Sequence, residues 1–214
     1  PLRLIYPEGE YRCGLDISSD EVLRRMPHEI PSTSQPGPDD IDAVFDQMRA
    51  RGIHHAVFVM ISSGLSGTFN MARMYCQEHH DIEVELFDSK YLSMGLGYFV
   101  MKAVELRDGG LEFGKYASAL EAYRPQVKGY FYVPTLDYLI KGGRIGLVAG
   151  TVGKLLNIKP IISCNDEGKY YTLTKVPGAR RAISRLCDLA RDMMGSAECD
   201  VTVLHGCAPD DAVR

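Results

Sequence analysis

Ten residues, Ile61-Ser62-Ser63-Gly64-Leu65-Ser66-Gly67-Thr68-Phe69-Asn70, constrain this chain most. Before them runs His55-Ala56-Val57-Phe58-Val59-Met60, an apolar segment that reads as a buried parallel strand. After them, Met71-Ala72-Arg73-Met74-Tyr75-Cys76 reads as a helix. The stretch is therefore the turn at the carboxyl end of a strand, opening a helix, which is where open α/β sheets bind ligands. Its two glycines let backbone approach a ligand closely. Its three serines and Thr68 supply hydroxyls, and the N–H groups of a helix start favour an anion. A serine N-cap in a tight strand-to-helix loop is the plainer alternative, and these residues alone leave it open.

The flanking sequence repeats the pattern. Leu2 to Tyr6 alternates as a strand does, and Ser18-x-x-Glu21 is a capping box that starts a helix running to about Met26. Pro31-Ser32-Thr33-Ser34-Gln35-Pro36 reads as a rigid, hydroxyl-rich loop held by its prolines. Pro38 opens a helix with Ile41, Val44, Phe45 and Met48 on one face, closed by Gly52. Ile82 to Phe87 is another strand, and Asp88 at its end either caps the next helix or contributes to a ligand cleft. Leu92 to Arg107 reads as a largely buried helix and Leu111 to Tyr123 as a further one. Such β-α-β-α order implies a parallel sheet covered by helices.

Beyond residue 126 the pattern changes. Gly129 to Val133 reads as a strand, Leu136 to Ile140 as a short helix, and Val148 to Leu156 as a small-residue helix. Lys159 to Ser163 and Lys169 to Lys175 form a hairpin around Asn165-Asp166-Glu167-Gly168. Gly178 to Met194 is an amphipathic helix and Val201 to Leu204 a last strand. A hairpin followed by helix and strand suggests a second, α+β domain.

Charge and motif content narrow the chemistry. A net charge of −4 gives no electrostatic case for nucleic acid. No apolar run reaches membrane-spanning length, and no signal peptide opens the chain. The six cysteines are scattered with no C-x-x-C pair, which suits reduced, mostly buried thiols in a cytoplasmic protein. Because the chain begins at Pro1 and stops at Arg214 within an apparent helix start, both ends read as cut.

Gly64-x-Ser66 invites a hydrolase reading, but the nucleophile elbow G-x-S-x-G ends here in Thr68. His79 and His80 end a helix, His54 and His55 begin a strand at its far end, and only His205 follows a strand. No Walker loop, dinucleotide fingerprint or carboxylate pair of glycosidase spacing occurs. Lys141-Gly142-Gly143-Arg144 is a basic, flexible corner or a solvated helix terminus. What remains is hydroxyls and helix-start N–H groups beside apolar surroundings, which suits an amphipathic ligand with an anionic head.

Five segments in order and spacing resemble the DegV family: Thr33-Ser34-Gln35-Pro36; Ser62 to Phe69; Asp88-Ser89; Leu136-x-x-Leu139-x-Lys141-Gly142-Gly143-Arg144; and Lys159-Pro160-Ile161. The resemblance runs through essentially the whole chain. These are the fatty-acid-binding proteins that serve bacterial fatty acid kinases. The resemblance implies a two-domain α/β fold: residues 1–126 as a parallel sheet with helices on both faces, and residues 127–214 as a second, mixed-sheet α+β domain. It places a long-chain fatty acid in a buried tunnel between them, and a separate ATP-dependent kinase would phosphorylate its carboxylate.

By motif position, Thr33, Ser66, Gly67 and Thr68 would bind the carboxylate, with Ser62, Ser63 and Arg144 near the site. The resemblance implies no catalytic residue, no metal and no cofactor beyond the bound fatty acid. Family members carry a strand and a D-S-T-like turn before the segment matching Pro1, and a final strand with a histidine near the carboxylate. Pro177-Gly178 stands where the family often has a basic residue.

Three expectations follow. The Thr33 and Ser66 hydroxyls converge on one carboxylate, and a tunnel leads off lined by Tyr130–Val133 and Leu92–Val104. Arg144 either docks the kinase or makes an internal salt bridge. The rival functions are a serine-dependent esterase or thioesterase using Ser66, and a regulatory module for another small acid.

Overall fold

Strand β1 (Arg3–Tyr6) lies between β2 (Gly9–Arg12) and β3 (Ser32–Ser34), antiparallel to both. Leu4 and Tyr6 alternate inward and pack on Ile17. The expected loop at Pro31–Pro36 therefore contains a strand: two prolines hold the segment extended, and the open edge of β1 pairs with it, Leu4 opposite Thr33. Helix α1 (Ser19–Arg25) starts as its capping sequence requires, Ser18 accepting the Glu21 N–H at 3.2 Å. The structure is a computed structural model that describes residues 1–151, 157–196 and 198–213.

Helix α2 (Pro38–Ala50) buries Ile41, Phe45 and Met48, while Val44, expected on that face, stays exposed. Strands β4 (His55–Met60) and β5 (Glu83–Asp88) pair in parallel, joined through α3 (Thr68–Cys76). The two-residue period of β4 divides its side chains. Ala56, Phe58 and Met60 pack with Val84 and Leu86 of β5 against α2 and α3. On the other face Phe87 meets Phe99 of α4 (Ser93–Asp108), ring centroids 5.2 Å apart. The parallel sheet thus has helices on both faces.

Helix α4 is less buried than expected. Only Phe99 is fully inside, and Val100, Met101 and Val104 are exposed. Val100 and Val104 line an open groove of about 570 Å³ beside Val57 and Val59, on the edge of β4 that pairs with no strand among the described residues. The next helix, α5 (Tyr116–Tyr123), begins later than the sequence suggests, because Gly114 takes φ +90° just before it.

By contacts the chain divides into two units, Pro1–Lys128 with Asp166–Gly168, and Gly129–Asn165 with Lys169–Arg214. The second unit is built on β6 (Ile158–Cys164) and β7 (Tyr170–Pro177), the expected antiparallel hairpin, with Ile161 and Ile162 fully buried. Helix α6 (Asp137–Lys141) precedes the hairpin and α7 (Ala179–Met194) follows it, with a short helix α8 (Pro209–Ala212) near the end.

Two expected strands are absent. Residues 129–133 make a single bridge, Phe131 to Ile162, and residues 201–204 form no strand among the described residues, with Val201, Val203 and Leu204 exposed. Both have strand-like composition, but a strand also needs a partner for its backbone groups. The expected helix at Val148 is a 3₁₀ turn over Gly146–Thr151, and its remainder lies outside the described residues. Among the described residues no helix is long and apolar enough to cross a membrane.

Candidate functional site

The serine-rich turn leaves β4 at Met60 and opens α3, as its composition predicts. Its hydroxyls have three different fates. Ser62 is fully buried; it donates to the Gly168 carbonyl at 2.7 Å and accepts the Gly64 N–H at 3.1 Å. Glycine is required on both sides of this contact. A Cβ on Gly64 would stand 2.6 Å from the Glu167 carbonyl oxygen, and one on Gly168, at φ +72°, would overlap Ser62 Oγ. Ser62 therefore has no hydroxyl proton to offer a ligand.

Ser63 is exposed but also committed. Its hydroxyl donates to Asp88 Oδ2 at 2.6 Å and its N–H to Asp88 Oδ1 at 3.1 Å. Asp88 also accepts the Lys90 N–H at 3.0 Å. The reading of Asp88 as a helix cap is thereby corrected: the N-cap of α4 is Leu92, with no side-chain cap bond. A carboxylate at the end of β5 is nearer to the N–H groups of the neighbouring strand's turn than to a helix starting five residues on.

Ser66 and Thr68 form the remaining pair, their hydroxyl oxygens 2.8 Å apart, with the Thr68 N–H 3.3 Å from Ser66 Oγ. One of the two hydroxyls donates to the other. In either arrangement one proton of the pair is left to donate elsewhere. Beneath it is the start of α3, whose N-cap is Gly67 with no side-chain cap bond, and whose first turn holds no acidic residue. Helix α2, by contrast, carries Asp39 and Asp40 in its first turn, and Asp40 accepts the N-cap N–H of Gly37 at 2.8 Å. The positive end of α3 is thus met neither by a cap nor by a carboxylate of its own.

Ser66, Gly67 and Thr68 share one turn, while Thr33 lies on β3. Thr33 is exposed on β3, and among the described residues its hydroxyl makes no hydrogen bond with Ser66. Gln35, two residues on, is what reaches the turn: its amide oxygen occupies the space a Gly67 Cβ would need. Sequence reading passed over Gln35 as a candidate, although it lies inside the Thr33–Pro36 segment. Arg144 belongs to the second unit, where it is exposed and donates to the Gly142 carbonyl at 2.5 Å.

The open groove beside β4 contains no residue of the serine turn, so it is not the expected tunnel. Among the described residues no group of three His, Cys, Asp or Glu could hold a metal ion. Neither an imidazole nor a carboxylate is a hydrogen-bond partner of Ser66 among the described residues.

The DegV family profile, described as uncharacterised proteins of that family, matches residues 1–214. A DegV domain-containing protein of Clostridium acetobutylicum is 42% identical over 211 residues, covering 99% of this chain and 75% of the relative. The crystal structure of a fatty acid binding DegV family protein from Streptococcus agalactiae superposes with a TM-score of 0.87 at 26% identity, covering 99% of this chain and 76% of the other. A stearic acid-binding protein from Eubacterium ventriosum superposes with a TM-score of 0.80 at 28% identity, covering 92% and 69% of the two chains.

Proposed function

This chain belongs to the DegV family, and from that premise we propose that it binds a long-chain fatty acid, its carboxylate held at the Ser66–Thr68 turn, and presents that carboxylate to a separate ATP-dependent kinase. The observation that carries the reading is local. A hydroxyl pair with one unshared proton stands over a helix start that has neither a side-chain cap nor an acidic first turn. That combination suits an anion. That structural neighbours are described as fatty-acid binders supports a fatty acid as the anion.

Gly67 contributes its N–H group, Ser66 or Thr68 the hydroxyl, and Thr33 lies on the strand whose continuation, Gln35, packs on Gly67. The tail supplies most of the affinity. About 15 methylenes gain roughly 12 kcal/mol gross on full burial, several times the worth of the head-group bonds, before the costs of association are subtracted. Affinity should therefore rise with acyl length. The protein acts as carrier rather than catalyst, since a nucleophilic role for Ser66 needs a base in hydrogen-bond reach. Arg144, exposed beyond α6, is assigned to docking the kinase or its nucleotide. Arg144→Ala should then keep the melting temperature and lipid content while lowering turnover with the kinase.

Mass spectrometry of the denatured, purified protein tests the ligand class. A stoichiometric C14–C18 fatty acid is expected. A different small acid, or loss of an acyl group from an ester substrate on incubation, would replace this reading.

A further inference from the structure

We propose that Asp88 and Arg124 are positioning residues for the anion site: Arg124 fixes the end of β5, and Asp88 transmits that position to the serine turn. The inference rests on the carboxylate reading above and adds residues that make no contact with the ligand. Arg124 follows α5 with its side chain mostly buried, 16% exposed. Its guanidinium donates to the backbone carbonyls of Ser89 at 2.5 Å and Asp88 at 2.8 Å. The same group lies over the rings of Phe87 and Phe99, 4.9 and 5.5 Å from their centroids, and pairs with Glu121 at 2.7 Å. Five partners hold it in one place, and so hold the two carbonyls.

Asp88 is then a fixed anchor. Its carboxylate accepts from Ser63 twice and from Lys90 once. Three donors occupy the two oxygens, so the carboxylate is turned onto the protein rather than toward a second anion. Ser63 begins the turn that ends at Ser66 and Thr68. The Ser66 N–H bonds back to the Ser62 carbonyl at 3.0 Å, which makes the segment between them one hydrogen-bonded loop. Moving Ser63 therefore moves Ser66. A carboxylate near a carboxylate-binding site would otherwise repel the ligand; here it sets the geometry of the donors.

The test compares palmitate with hexadecanol, which share a chain and differ in the head group. Wild-type protein should prefer the acid at least tenfold. Asp88→Ala should lower that preference about tenfold while hexadecanol binding is unchanged. Asp88→Asn, which keeps an acceptor for the Ser63 N–H, should restore most of it. A purely structural role would weaken both ligands equally, and that result, or an unchanged preference in folded Asp88→Ala protein, overturns the brace while leaving the carboxylate reading intact. If Asp88→Ala does not fold, Ser63→Ala at its exposed position should lower the preference about threefold, and no change there overturns the brace. A wild-type protein without preference for the acid removes the carboxylate reading and the brace together.

Discussion

The two parallel strands end in turns of nearly the same chemistry, and the turns have opposite roles. At the end of β4 stand Ser62, Ser63, Ser66 and Thr68; at the end of β5 stand Asp88, Ser89 and Lys90. Ser89 is fully buried, and its hydroxyl donates to the Tyr91 carbonyl and accepts the Tyr91 N–H, each at 3.1 Å. Its own N–H continues the ladder to Met60 at 3.1 Å, and the Ser62 N–H returns to Tyr91 at 2.9 Å. The β5 turn is closed on itself and on its neighbour. The β4 turn keeps one hydroxyl proton and a helix start for something else. Residue type does not separate a scaffold serine from a binding serine; counting donors and acceptors does.

That contrast can be broken most forcefully at Gly64. Gly64→Ala places a methyl group against the backbone of Glu167 and Gly168, which cannot yield as a side-chain end can. A stability loss of about 3 kcal/mol is expected, measured by denaturant unfolding, with fatty-acid binding lost alongside. A loss under about 1 kcal/mol would mean that the turn and the 166–168 segment are not in the contact described.

The next largest effect separates the two turns. Ser89→Ala leaves the buried Tyr91 N–H without its side-chain acceptor and should cost about 1–3 kcal/mol of stability, with little change in preference for acid over alcohol. Ser66→Ala should do the reverse. Its partly exposed site costs little stability, while head-group recognition falls about tenfold, the worth of one charge-assisted hydrogen bond. Equal effects in the two variants would erase the distinction.

A smaller effect lies at the opposite end of the sheet. Asp81, just before β5, accepts two hydrogen bonds from Arg49, which hold its carboxyl down at about 2. A lowered carboxyl contributes stability above its ordinary range, and that contribution is lost as pH falls from about 4 toward 2. The pair is exposed, so the change should be slight and weakened by salt. Melting curves from pH 5 to pH 2 on wild type and Asp81→Asn should converge at the acid end. Parallel curves would exclude the pair as a contributor.

Much of this was legible in the residues, for physical reasons that can be named. The β4 turn was readable because strand, glycines and helix lie within one local stretch, and local chemistry settles a strand-to-helix turn. The capping box at Ser18 and the β6–β7 hairpin were readable for the same reason. The edge strand β3 was not, since its pairing depends on β1, nearly thirty residues away. Val201–Leu204 erred in the other direction: the composition of a strand is there, and no strand forms among the described residues. Within the candidate site, Ser66, Gly67 and Thr68 come from one segment and meet. Gln35 and Arg124 come from distant segments; Gln35 lies inside the Thr33–Pro36 motif but nothing local shows that it reaches the turn, nothing near Arg124 marks it, and their positions follow from packing on Gly67 and on Phe87.

The most direct measurement is the carboxyl ¹³C resonance of a fatty acid labelled at C1, titrated while bound. Donors aimed at an ionised head group favour the charged form and lower its titration midpoint. In wild-type protein the bound carboxyl should stay ionised well below the ordinary carboxylate range of about 4. In Ser66→Ala the midpoint should move upward, with the tail still bound. An identical resonance and midpoint in the two proteins would contradict the placement of the carboxylate at the Ser66–Thr68 turn.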